Sequence, residues 1–213
     1  MKINIMGRLV DVEVAATDAT AMMQAQRQWE DEKQKYLAAI HRYNNLPSKL
    51  NYESALDAIE QCSTAESSER RLLAILPLIE DAPPKIFWAI LLKTWPSCDD
   101  TWMLKTRLLR AMKKAGPVML ELLSEHERRF FEGLPAQVPV FRGCSRPRVR
   151  GISWTMERTI AEGFARGHRG IQVPDPVVAS ALIPKDGIFF ATDDRSEKEI
   201  VLNPRRLRRL RLV

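Results

Sequence analysis

Residues 133–155 read GLPAQVPVFRGCSRPRVRGISWT, and the change of pattern at the start of this stretch decides the fold. After Gly133-Leu134-Pro135 the helical period gives way to short β-rich runs, 138–141 and 151–154, separated by turn residues. Further runs of the same kind follow at 177–183, 188–191 and 199–202. One helix, 157–166, interrupts them, with Ala161 and Phe164 on its apolar side. Upstream the chain reads as helices over 21–43, 52–62 (after an Asn51 cap), 66–80, 85–95, 101–114 and 117–131. Leu72, Leu73, Leu76 and Ile79 share one face of the third, which Pro77 is expected to kink or split; Pro96 stops the fourth. Met103, Leu104, Leu108 and Met112 line the fifth, and Pro117 opens the sixth. The first fourteen residues hold two β-branched runs broken at Met6-Gly7, the pattern of a small hairpin. The expected class is therefore α+β, with a mainly helical region over 1–132 and a compact β-rich region over 133–213.

Charge follows the same division. Residues 1–132 hold 18 Lys+Arg against 19 Asp+Glu, whereas residues 133–213 hold 15 against 8, so the net excess of +6 lies in the second region. Thirteen of those fifteen cations are Arg, and seven of the nine glycines lie there too. The whole chain, 213 residues with 45% hydrophobic and 28% charged, has the balance of a globular protein. No run approaches the roughly 20 apolar residues of a membrane helix, and the start lacks the pattern of a secretory signal. Cys62, Cys98 and Cys144 are far apart and form neither a disulfide framework nor a zinc cluster, which points to a reducing, cytoplasmic setting. Export by a specialised route needing no such signal stays open.

Familiar catalytic signatures are absent: no G-x-G-x-x-G, no G-x-x-x-x-G-K-[ST], no G-x-S-x-G. His41, His126 and His168 lack metal-ligand spacing and read as surface or packing residues. Three features of the second region carry more chemistry. In Val138-Pro139-Val140-Phe141-Arg142-Gly143, an Arg at a strand end offers a planar fork for phosphate or carboxylate, and the following Gly lets a ligand approach the backbone. In Gly151-Ile152-Ser153-Trp154-Thr155, Ser153 and Thr155 share one face of a pleated strand while Trp154 packs opposite; Thr155 is also a helix-cap candidate. In Glu197-Lys198-Glu199-Ile200-Val201-Leu202, two carboxylates at i, i+2 of a strand start face the same way, and close carboxylates call for a cationic or polar ligand between them. Taken singly, each is an ordinary surface Arg, capped strand or solvated strand end.

Their order adds information. Arg-Gly, then Ser-x-Thr leading into an Ala-x-x-Phe helix, then Glu-x-Glu opening a late strand, resembles the ADP-ribosyltransferases of the Arg-Ser-Glu class, which include arginine-modifying bacterial toxins. The resemblance covers 138–204 and implies a split β-sandwich that cleaves NAD, as substrate, and transfers ADP-ribose to a macromolecule, with protein arginine favoured over RNA. By the same resemblance Arg142 contacts the NAD phosphates, the Gly143 backbone meets the nicotinamide amide, and Ser153 orients the catalytic carboxylate. Thr155 ends the family's Ser-Thr-Ser, whose middle Thr is here Trp154, and Phe164 lines the nicotinamide pocket. Glu199 matches the catalytic Glu and Glu197 the residue that engages the acceptor; no metal is required. Residues 166–176 stand where the family has a loop over NAD, and 192–196 where it recognises the acceptor.

Three alternatives stay open: a degenerate transferase fold serving only as an interaction module, an NAD glycohydrolase, in which water replaces the acceptor, and a non-enzymatic nucleic-acid-binding protein. The nucleic-acid reading draws on Arg205, Arg206, Arg208, Arg209 and Arg211, a tail with no acid that reads either as a phosphate-binding patch or as an edge strand with Leu210 and Leu212 turned inward.

Overall fold

The structure, a computed structural model, describes residues 2–5, 8–11, 27, 68, 71–99, 101–167, 172–193 and 196–213. Of the helices expected over 21–43 and 52–62, only Arg27 is described, as helical; His41, Cys62 and His168 lie outside the described residues. The chain forms two compact units, Met1–Leu46 and Pro47–Val213. In the first, β1 (Lys2–Ile5) and β2 (Arg8–Asp11) pair antiparallel from Lys2↔Asp11 to Ile5↔Arg8, as the expected hairpin requires.

Among the described residues of the second unit, four α-helices precede the sheet. In α1 (Arg71–Ile79), Leu72, Ile75, Leu76 and Ile79 are buried, whereas Leu73 is exposed. Pro77 does not split this helix, which ends two residues later. Helix α2 (Pro84–Thr94) starts with Pro84 in its first turn, a position where a missing N–H costs nothing. It buries Phe87, Trp88, Ile90 and Leu91 and gives way to a 3-10 turn, Trp95–Ser97. Helix α3 (Lys105–Ala115) starts four residues later than its apolar spacing predicts: Trp102, Met103 and Leu104 form a turn, and Met103 is 82% exposed rather than part of the core. Helix α4 (Glu125–Glu132) also starts late. Ser124 Oγ accepts from the Glu127 amide while the Glu127 carboxylate accepts from the Ser124 amide, a reciprocal cap that fixes the start there rather than at Pro117. Arg107 clamps Glu80 with two 2.5 Å hydrogen bonds, tying α3 to the end of α1.

A six-stranded antiparallel sheet follows, with β3 (Gln137–Ser145), β4 (Ser153–Thr155), β5 (Pro176–Pro184), β6 (Ile188–Thr192), β7 (Glu199–Leu202) and β8 (Arg208–Leu212) in the order β6-β7-β4-β3-β5-β8. Helix α5 (Arg158–Ala165) connects β4 to β5 and lies against β3. The class is α+β, as expected. The longest pairing, β3 with β5, runs from Gln137↔Pro184 to Ser145↔Pro176. Val138, Val140, Trp154, Ala179, Ile183, Ile200 and Leu202 fill one core, against which Phe130 and Phe131 of α4 pack. Helix α2 and the 3-10 turn after it meet the sheet at Phe190 of β6, which contacts Trp88 and Trp95 edge to face at 6.2 and 5.4 Å between centroids.

The arginine-rich tail ends in the edge strand β8, which carries Arg208, Arg209 and Arg211, while Arg205 and Arg206 lie in the turn before it; all five are exposed. Leu207 and Leu210 lean on the core, but Leu212 is 48% exposed instead of inward, because β8 is the edge of the sheet among the described residues. No helix among the described residues is long and apolar enough to cross a membrane.

Candidate active site

Strand β3 runs on past Arg142 to Ser145, so this arginine stands inside the strand rather than at its exit. Its Nε donates to the Arg148 carbonyl at 3.2 Å and its Nη1 to the Ser153 carbonyl, which wraps the segment 148–153 around the guanidinium. Gly151 makes this possible: a Cβ there would sit 2.4 Å from Arg142 Cζ. Burial pulls the guanidinium below an ordinary arginine's value, while the nearby Cys144 and the Glu199 carboxylate act in the opposite direction. An arginine stays charged near neutrality even so. Burial likewise pushes the Cys144 thiol up, against the pull of Arg142.

The glycine after it has a different reason from the one its sequence suggests. A Cβ on Gly143 would lie 1.7 Å from the Ala161 carbonyl oxygen and 2.6 Å from the Ala165 nitrogen, so the space a side chain would take is filled by the backbone of α5. Gly143 is required for helix α5 to seat on β3, which in turn carries Phe164 to the site.

Ser153 and Thr155 are separated by the buried Trp154, whose indole donates to the Gly151 carbonyl at 2.9 Å. Ser153 Oγ donates to Glu199 Oε1 at 2.5 Å. Thr155 is not the helix cap: the N-terminal flanking position of α5 is Glu157. Thr155 Oγ1 instead accepts from the Glu157 amide at 2.9 Å and donates to the Glu197 carbonyl at 2.5 Å, joining the entry of α5 to the turn before β7.

That turn alters the geometry expected of the two glutamates. Ser196 and Lys198 adopt φ of 55° and 42°, a left-handed conformation that breaks the pleat, so Glu197 does not share a strand face with Glu199 by alternation. The Lys198 amide donates to Asp193 Oδ1 at 3.1 Å and its Nζ lies 2.5 Å from Glu157 Oε1, pinning the turn from both sides. Glu199 opens β7 opposite Thr155 on one side and Thr192 on the other. Its Oε2 accepts from Trp95 Nε1 at 3.0 Å.

All seven residues singled out from sequence, Arg142, Gly143, Ser153, Thr155, Phe164, Glu197 and Glu199, line one cleft of about 410 Å³, within the range of small-molecule sites. Sequence reasoning missed two groups on the same cleft. One is Arg148, a second guanidinium, which an Arg-Pro-Arg run in a strand connection does not announce. The other is the wall supplied by the helical region, with Trp95, Cys98, Asp99, Thr101 and Trp102. Cationic, hydroxyl, aromatic and carboxylate groups thus face one space, able to take an anionic, aromatic-bearing ligand and to stabilise positive charge beside Glu199. No group of three or more His, Cys, Asp or Glu able to hold a metal occurs among the described residues. Residues 168–171 and 194–195, within the two loops singled out from sequence, lie outside the described residues.

No protein-family model, curated protein or solved structure matches this chain.

Proposed function

We propose that this chain is an NAD-dependent mono-ADP-ribosyltransferase, with its β-rich region a variant of the family's split β-sandwich. The supporting observation is convergence: residues chosen by their order along the sequence, up to 57 positions apart from Arg142 to Glu199, line one cleft, and two of them, Ser153 and Glu199, are hydrogen-bonded.

The residue chemistry fits the reaction. Breaking the bond between nicotinamide and ribose sends its electron pair to the nicotinamide nitrogen and leaves positive charge on the sugar. A fixed carboxylate stabilises that charge more than it stabilises the ground state, which lowers the barrier. Glu199 is that carboxylate, and Ser153 holds it. Arg142 and Arg148 offset the pyrophosphate charge, and Phe164 supplies an aromatic wall. The acceptor nucleophile bonds to the ribose carbon and its proton passes to Glu197. A guanidinium acceptor suits a mouth that carries Glu197 beside Glu199. The chemistry asks for no metal, and buried thiols at Cys98 and Cys144 suit a reducing, cytoplasmic setting.

The test is incubation of the protein with NAD labelled in its ADP-ribose part and a cell extract, beside Glu199→Gln. The expected result is labelled macromolecule and released nicotinamide, with the variant reduced by about 10³-fold. Equal output from both proteins counts against the reading. Free ADP-ribose without labelled macromolecule identifies an NAD glycohydrolase.

One observation favours a nucleic-acid partner in addition. Arg208, Arg209 and Arg211 on β8 and Arg205 and Arg206 in the turn before it are all exposed, and only Arg206 among them has a described ion pair, with Asp186. Binding by this edge is electrostatic and weakens with salt.

A further inference from the structure

We infer that Trp95 is a positioning residue for Glu199, so that the helical region completes the catalytic cleft rather than merely standing beside it. The inference rests on the proposed function only in taking Glu199 as the carboxylate that faces the ribose.

Trp95 begins the 3-10 turn after α2 and is 3% exposed. Its indole N–H points at Glu199 Oε2 across 104 positions of sequence, while Ser153 Oγ points at Oε1. Two donors, one on each oxygen, hold the plane of the carboxylate more tightly than either does alone. The indole is itself fixed, because Phe190 meets it edge to face at 5.4 Å and an interplanar angle of 87°. Phe190 in turn pairs with Val201, two residues along β7 from Glu199, so the clamp and its target share one framework. An indole nitrogen donates and cannot accept, so it neither takes nor gives a proton in the reaction. Its effect passes through Glu199: it aligns the carboxylate and favours the ionised form, since the donor stabilises the charged group more than the neutral one.

The experiment uses the full chain with Trp95→Phe, and a second variant in which residue 95 is benzothienylalanine, which keeps the fused ring and loses only the N–H. Wild type and both variants are titrated by carbon NMR with labelled glutamate; the Glu199 signal is the one missing from Glu199→Gln. The other charged and titratable groups on the cleft are Arg142, Arg148, Asp99, Glu197, Cys98 and Cys144, and these are common to all the proteins compared. Loss of the N–H is expected to make Glu199 about tenfold weaker as an acid. The rate of nicotinamide release at saturating NAD is expected to fall about tenfold, with KM for NAD changing less than about twofold. An unchanged Glu199 titration in the benzothienyl protein overturns the inference. A shifted titration in a protein whose wild type releases no nicotinamide supports the Trp95–Glu199 coupling and removes the NAD reading instead.

Discussion

Ser153 Oγ reaches Glu199 Oε1 diagonally across the β4–β7 pair, since the backbone partner of Ser153 is Val201 and that of Glu199 is Thr155. Diagonal neighbours on one sheet face stand about 7–8 Å apart, a gap that a glutamate side chain spans and an aspartate does not. Ser153→Ala is expected to lower nicotinamide release by about 10- to 100-fold, the effect of losing one hydrogen bond to a charged group. Glu199→Asp is expected to fail as fully as Glu199→Gln. Steady-state release measured for all three checks this, and a wild-type rate in Ser153→Ala removes the role given to the hydroxyl.

Gly143→Ala is a stability variant before it is an activity variant. The added carbon meets the backbone of α5 at 1.7 Å, where no rotamer change relieves it, so the helix must shift. Overpacking alone costs about 1–3 kcal/mol, and a backbone clash lies at or beyond the upper end. Urea unfolding is expected to show a loss of about 3 kcal/mol; an unaltered midpoint would mean that α5 does not seat as described.

Gly151→Ala acts through a side chain instead. Its methyl would occupy the place of the Arg142 guanidinium, and the arginine must leave the Arg148 and Ser153 carbonyls to make room. KM for NAD is expected to rise about tenfold, as for Arg142→Ala. The double variant should be no worse than either single one, because both remove the same contact. Additive effects in a double-mutant cycle would separate the two residues.

At acid pH the α1–α3 junction is a weak point. Hydrogen bonding from Arg107 holds the Glu80 carboxyl below its ordinary value, against a smaller opposing effect of burial. A carboxyl lowered in the folded state stabilises the fold above its unfolded value and loses that contribution as pH falls through the folded one. The stability difference between wild type and Glu80→Gln is therefore expected to be present at pH 7, to shrink below about pH 4.5 and to vanish in stronger acid. Because the Arg107 side chain is 39% exposed, solvent screening limits the difference at pH 7 to about 1 kcal/mol. Thermal melts of the pair across pH 2.5–7 measure it.

The sheet was legible because its strands carry their own signal. Val138 and Val140 alternate with exposed neighbours, and Ile200-Val201-Leu202 is apolar throughout, as a strand buried on both faces must be. Six of the seven site residues were legible because each lies in or next to such a strand, and Phe164 because it sits on the apolar side of the one helix between them. Local pattern failed where a short-range competitor decided. The Ser124–Glu127 cap overrode Pro117 as a helix start, and the 102–104 turn took Met103 out of the core. It also failed where the partner is remote. Nothing around Trp95 announces a carboxylate 104 residues away, and Gly151 looks like a turn glycine until the Arg142 guanidinium is seen against it. The left-handed Lys198 falls in neither group: a lysine gives no warning of positive φ.

Glu197 stands on a pinned turn, held through its carbonyl by Thr155 and flanked by residues anchored to Asp193, rather than inside the ladder of β7. Its side chain is therefore uncoupled from strand register. Under the proposed function, exchange at this single position would be open to selection for new targets without disturbing the carboxylate two residues on, and a saturation library at residue 197 would test whether it sets acceptor preference on an unchanged scaffold.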